Sequence, residues 1–154
     1  GAIPGALPPL IGYLAALGRN THFQPVDYQI AVILFLVQFV WQFPHFWSIA
    51  WVLDDDYKKA GFRLLPTTKR DKTSALITFL STLVLIPVSL LPTFYGFGGY
   101  YVAIISVLIG LYFAYTAFKL FLNRDLESAR KVMFGSFIYL PLVQLALLFD
   151  FITK

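Results

Sequence analysis

Cysteine is missing from all 154 residues. Its absence excludes disulfides, cysteine-ligated zinc and iron–sulfur clusters, and leaves the redox compartment open. Charge is scarce too. Lys, Arg, Asp and Glu together make up 13% of the chain, against roughly 25% in soluble domains. Hydrophobic residues make up 58%, more apolar surface than a water-soluble protein of this size can hide. The start has no basic stretch ahead of a short apolar core, so no cleavable signal peptide is read. No internal repeat, long linker or low-complexity segment interrupts the chain. The formal net charge of +4 does not point to nucleic acid, because the basic residues flank apolar spans as they do in membrane proteins. With lipid as its solvent, the composition makes sense.

Four uncharged stretches are present: residues 1–18, 28–53, 73–118 and 132–149. A helical span needs about 20 residues. The third stretch holds enough for two, with a natural break at Gly96-Phe97-Gly98-Gly99 just after Pro92. The sequence therefore predicts an all-α, polytopic transmembrane bundle of five helices, at about 1–18, 28–53, 73–95, 99–122 and 132–150. The chain opens inside an apolar segment, so it is expected to be the C-terminal part of a single larger membrane domain. Alternating loops put Lys58, Lys59, Arg63, Lys69, Arg70, Lys72, Lys119, Arg124, Arg130 and Lys131 on one side, and Arg19 and Lys154 on the other. The positive-inside rule places loop 54–72 in the cytoplasm and the C-terminus on the opposite face.

The informative chemistry lies on the second helix. Gln38, Gln42 and His45 recur at i, i+4, i+7, so they share a helix face. The same rhythm runs through Ile49 and Val52 to Asp56. Ionisable groups inside a span are costly and face the bundle interior. The stripe is either hydrogen-bonding glue between helices or the wall of a substrate pocket. Trp41, Phe43, Phe46, Trp47 and Trp51 surround it. These aromatics could wall a flat macrocycle and an isoprenoid tail, or stabilise an allylic cation. Their other role is lipid contact. Pro8 and Pro9, with Pro4, Gly1 and Gly5, are expected to break ordinary geometry in the first helix.

Asp54, Asp55 and Asp56 follow, then Tyr57, Lys58, Lys59, Ala60 and Gly61. Adjacent carboxylates repel unless cations neutralise them. Oxygen-rich clusters suit Mg²⁺, which binds carboxylates together with substrate phosphates. Nearby Lys and Arg can hold a diphosphate. A solvated acidic helix end is the alternative.

The run Trp41-Gln42-Phe43-Pro44-His45-Phe46-Trp47, then Asp55-Asp56-Tyr57 and Ala60-Gly61, resembles the signature of the protohaem IX farnesyltransferases. The opening segment from Gly1-Ala2-Ile3-Pro4-Gly5 to Gly12-Tyr13 resembles another part of that family. The family belongs to the intramembrane aromatic prenyltransferase superfamily, whose members usually have nine helices, so the five here would be the last five. The resemblance implies transfer of a farnesyl group from farnesyl diphosphate to a vinyl of haem B, giving haem O, with Mg²⁺ assisting departure of diphosphate. It implies that Asp55 and Asp56 bind Mg²⁺-diphosphate. Lys58, Lys59 and Arg63 are candidates for the leaving group. Gln42, His45, Trp41 and Trp47 are candidates for haem, with His45 a possible iron ligand. A bacterial inner membrane and downstream haem-modifying or oxidase-assembly partners are the implied setting.

Two departures stand out. Lys58 and Ala60 follow Asp54 and Asp56 by four residues, so the superfamily's D-x-x-x-D pattern is absent, and Arg63-Leu64-Leu65-Pro66 replaces an expected Pro-Met-Leu-Pro. The family's first aspartate motif lies further N-terminal, so these residues alone are expected to lack activity. A transporter, or a non-catalytic haem-binding assembly protein using His45, remains an alternative.

Overall fold

A computed structural model describes residues 2–18 and 24–153. They form six helices: α1 (Ala2–Leu17), α2 (Pro25–Val52), α3 (Asp54–Lys59), α4 (Lys72–Phe94), α5 (Tyr100–Asn123) and α6 (Leu126–Thr153). Four of them, α2, α4, α5 and α6, are long and apolar enough to cross a membrane, and the protein is an integral membrane protein. The helix α1 is apolar but has 16 residues. At about 1.5 Å per residue it is shorter than a hydrocarbon core of roughly 30 Å. The expected five spans are thus four long helices and one short one. Nor do the prolines break α1, which runs as one α-helix through Pro8 and Pro9.

Charge ends a membrane span but not a helix, and this explains where bounds differ from expectation. Helix α6 begins at Leu126 rather than 132 and carries Glu127, Arg130 and Lys131 in its first turns. Asp125 starts it, its side chain accepting the Ser128 N–H at 2.7 Å. Helix α2 begins at Pro25, where a missing N–H costs nothing. The Asp27 carboxylate there accepts the Gln24 N–H at 2.8 Å.

In the bundle, α2 is central: it packs against α1, α4 and α6, while α4 packs on α5 and α5 on α6. Trp51, Leu85, Val102, Phe113, Leu120, Val132 and Tyr139 fill the core. A small residue sets one approach, since a Cβ on Gly110 of α5 would lie 2.7 Å from Ile86 Cγ1 of α4. In lipid, packing and interhelical hydrogen bonds hold helices together. Here the Tyr139 hydroxyl donates to Ser89 Oγ at 2.8 Å, joining α6 to α4. Outward positions such as Leu108, Leu145 and Ile152 are apolar and exposed, as lipid contact requires.

Helix alternation places all ten described basic residues at one end of the bundle, the end that carries α3 and the α5–α6 turn. Lys72 at the start of α4 lies over the Phe121 ring near the end of α5, at 5.5 Å. Arg19 and Lys154, assigned to the other side, lie outside the described residues.

The two polar helix starts at the basic end depend on pH. Asp71 is held below the usual carboxylate range chiefly by the backbone N–H of Ser74, and Asp125 by that of Ser128. A depressed carboxylate stabilises above its ordinary pKa of 3.8 and loses that contribution as pH falls through its lowered value. Protection of the Ser74 and Ser128 amides from hydrogen exchange should therefore hold from neutrality to about pH 5 and fail only in stronger acid. Asp71→Ala should remove protection at Ser74 at every pH. Unchanged protection in that variant would show that the cap is not the cause.

Candidate functional site

The buried row of α2 reads Val37, Trp41, Pro44, Ser48 and Trp51. Three residues on, it reaches Asp54. Helix α2 stops at Val52, Leu53 takes a non-helical conformation, and α3 restarts at Asp54. Asp56, where the polar stripe's rhythm ends, falls outside this buried row. Asp54, not Asp55 or Asp56, is the inward carboxylate: its side chain is 3% exposed, against 69% for Asp55 and 74% for Asp56.

Cations answer all three. Lys58 lies 2.6 Å from Asp54 Oδ2. That contact is an ion pair without aligned hydrogen-bond geometry, and at this distance the charges dominate. Lys59 pairs with Asp56 at 3.3 Å, both exposed, a pairing worth less than about 1 kcal/mol. Arg70, which sequence reasoning counted only as a topological charge, is the organiser. Its Nη1 donates to Asp55 Oδ2 at 3.0 Å, its Nε lies 3.7 Å from Asp54 Oδ2, and its guanidinium donates to the Trp51 carbonyl at 2.8 Å and the Val52 carbonyl at 3.4 Å. The last carbonyls of α2 would otherwise lack donors. Arg63 is exposed and shows no partner among the described residues.

The stripe of α2 divides between two neighbours. Gln42 turns to α1, its Nε2 donating to the Ala2 carbonyl at 2.6 Å. Its Oε1 is buried with no donor among the described residues. Gln42, Ala2, Phe43, Phe46 and Trp47 line a hollow of about 210 Å³. Gln38 faces a larger groove of about 600 Å³ between α1, α2 and α6, opposite Gln144.

His45 turns to α6. Its ring stacks on Trp41 at 4.3 Å and meets Phe137 edge-on at 5.1 Å. Ser136, which nothing in the sequence singled out, receives both: Trp41 Nε1 donates to its carbonyl at 2.9 Å, and His45 Nδ1 lies 2.8 Å from its Oγ. The Ser136 hydroxyl proton is already given to the Met133 carbonyl at 2.6 Å. The Nδ1 of His45 must then carry the proton and donate, leaving the lone pair on Nε2. An imidazole fixed through Nδ1 is the usual arrangement of a metal-binding histidine. No hydrogen bond reaches Nε2 among the described residues.

Among the described residues, no three carboxylate or imidazole side chains converge on one point. Mg²⁺ commonly takes one or two carboxylates, several waters and substrate phosphates, and the exposed Asp55 and Asp56 meet that requirement.

At the basic end of the bundle, then, an acidic turn sits within a ring of cations, and beneath it α2 carries an aromatic stretch with an oriented imidazole. The model of the UbiA prenyltransferase family matches residues 1–140. The chain belongs to that family. Among curated relatives of this family, the protoheme IX farnesyltransferase of Cytophaga hutchinsonii is 45% identical over 151 residues, covering 97% of this chain and 50% of that protein. The protoheme IX farnesyltransferase of Flavobacterium psychrophilum is 45% identical over 155 residues, 97% of this chain and 49% of that protein. The Aquifex aeolicus protoheme IX farnesyltransferase is 40% identical over 143 residues, 93% of this chain and 46% of that protein. The chain spans about half the length of the curated relatives it matches. No solved structure matches it significantly.

Proposed function

We propose that the chain forms the C-terminal part of a single transmembrane prenyltransferase domain that moves a farnesyl group from farnesyl diphosphate to a vinyl of haem B, giving haem O and diphosphate. One observation carries the proposal: an exposed Asp55-Asp56 pair, flanked by Arg70 and Lys59, stands at the end of the helix that lower down holds Gln42 and the aromatic hollow. The substrates come from the names of relatives alike over nearly the whole chain. Asp55 and Asp56 would hold Mg²⁺, which when bound neutralises diphosphate charge and favours its departure. Arg70, Lys58, Lys59 and Arg63 surround the same anion. In the membrane, Phe43, Phe46 and Trp47 exclude water around the isoprenoid, and their ring faces favour an allylic cation. His45, oriented by Ser136 and Trp41, would offer Nε2 to haem, and Gln42 keeps an acceptor for a polar edge. The basic end faces the cytoplasm of a bacterial inner membrane and the C-terminus the other side. Enzymes that modify haem O or assemble oxidases would be the downstream partners.

In a protein of the relatives' length, Asp55→Asn and Asp56→Asn should each lower farnesyl transfer by about a hundredfold or more, while haem binding, read from its absorption spectrum, persists. Full transfer in both variants sinks the proposal. Asp54→Asn should act differently, reducing folded yield rather than turnover per folded molecule.

A further inference from the structure

At the basic end, the α5–α6 turn encloses a hollow of about 320 Å³ lined by Tyr115, Thr116, Lys119, Asn123, Ser128 and Lys131. No carboxylate is in that lining, and its donors are Tyr115, Lys119, Asn123 and Lys131, since the Thr116 hydroxyl already donates to the Phe113 carbonyl at 2.8 Å. Ser128 is buried, accepts from Asn123 at 3.3 Å, and is itself turned to the Asp125 carboxylate. Lys119 lies over the Tyr115 ring at 5.6 Å. Lys131 pairs with Glu127 at 2.7 Å, with both side chains exposed, a contact easily exchanged. Asp125 is spent on the Ser128 N–H. A concavity of donors and two lysines suits a phosphate.

Below it the chemistry changes. Ile105, Leu108 and Ile109 of α5 and Leu142 of α6 line a second hollow of about 300 Å³. Both hollows lie between α5 and α6, one at the basic end and one nearer mid-membrane. On α5, positions 119, 115, 112 and 108 fall on one face, as do 131, 135, 138 and 142 on α6. Gly135 keeps the α5–α6 space narrow-walled, since a Cβ there would sit 3.4 Å from Phe113 and 3.7 Å from Tyr112. From Lys119 to Leu108 is eleven residues, about 16 Å along the helix, which is roughly half a 30 Å hydrocarbon core.

We infer that this α5–α6 face binds one anionic phospholipid of the leaflet at the basic end, its phosphodiester between Lys119 and Lys131 and an acyl chain running down to the apolar hollow at mid-membrane. Basic pockets between membrane helices suit anionic headgroups. A phosphate alone would fill only the upper hollow, whereas the apolar hollow lies within reach of one acyl chain, about half a hydrocarbon core further down. The inference does not depend on the transferase proposal.

The test is native mass spectrometry of the full chain released from bicelles that contain phosphatidylglycerol or phosphatidylcholine. Phosphatidylglycerol should be retained as a single bound copy, and phosphatidylcholine should not. The double variant Lys119→Gln/Lys131→Gln should weaken retention about tenfold or more. Arg124→Gln/Arg130→Gln, which removes equal charge from the same turn outside the hollow, should weaken it less than about twofold. Leu142→Trp, which fills the lower hollow without changing charge, should also weaken it. Inorganic phosphate should not compete at equal concentration. Equal loss in the two double variants would mean diffuse surface charge, and competition by phosphate would mean a free-anion site. Either result overturns the inference, as does unchanged retention in Lys119→Gln/Lys131→Gln or in Leu142→Trp.

Discussion

Asp150→Ala should destabilise the bundle by about 3 kcal/mol, one of the two largest single-residue effects expected outside catalysis. The Asp150 carboxyl, buried near the end of α6, accepts the backbone N–H groups of Gly99 and Val102, each at 2.8 Å, with Tyr101 at 3.4 Å. These belong to the first turn of α5, where helical N–H groups have no partner of their own. A side chain from another helix thus does what a local cap normally does. Alanine would leave two donors unpaired, at about 1–3 kcal/mol each if water cannot reach them. Both short bonds fall on Oδ2, so Asn with its oxygen at that position keeps them and should cost less than half as much. Gly99 belongs to the same device, since a Cβ there would stand 2.5 Å from Asp150 Oδ1. Gly99→Ala should therefore harm the wild type more than it harms Asp150→Ala. Chemical unfolding in mixed micelles reads all three, and a cost for Asp150→Ala below about 1 kcal/mol would discard this account.

Arg70→Met should cost about 2–3 kcal/mol and loosen α3 against α2. Stripping one partner from a buried ion pair typically costs about 3–5 kcal/mol. The lower figure applies because Lys58 stays on Asp54 and the Arg70 side chain is 23% exposed. Arg70 also donates to the Trp51 and Val52 carbonyls. Lys could restore the charge but not a planar fork serving carbonyls and carboxylates together, so Arg70→Lys should recover less than half of the loss. Asp54→Asn should cost less in the Arg70→Met background than in the wild type, because the carboxylate has then already lost one of its two cations. Hydrogen exchange at residues 54–59 should rise in Arg70→Met. Unaltered exchange there, with full stability, would show that the guanidinium is dispensable.

How much of this was legible in the sequence depends on what each feature needed. Hydropathy alone located the membrane helices, because a 20-residue apolar run has few other uses. It failed at α6, where the charges of Glu127, Arg130 and Lys131 end the lipid-facing stretch but leave the helix intact. It failed also at α1, where proline's cost in water overstated its effect. The Trp41-to-Trp47 run and the aspartates were visible as residue types. Their division was not, since the polar stripe pointed to Asp56 while the buried row through Ser48 and Trp51 runs on to Asp54. Arg70, Ser136 and Asp150 act across separations of 15 to 95 residues, and no local pattern marks them. Asp150 alone left a trace, a carboxyl at the edge of an apolar run.

Helix α6 is pinned twice. Near one end Ser136 receives the indole and imidazole of α2, and near the other Asp150 receives the first turn of α5. The anchor points are fourteen residues apart, about 21 Å along the axis. A rod fastened at two such points to two different partners can neither slide like a piston nor roll about its axis without undoing both. What remains is a shared tilt, so any opening of this bundle must carry α2, α5 and α6 as one block, with α4 joined to it through Tyr139 and Ser89.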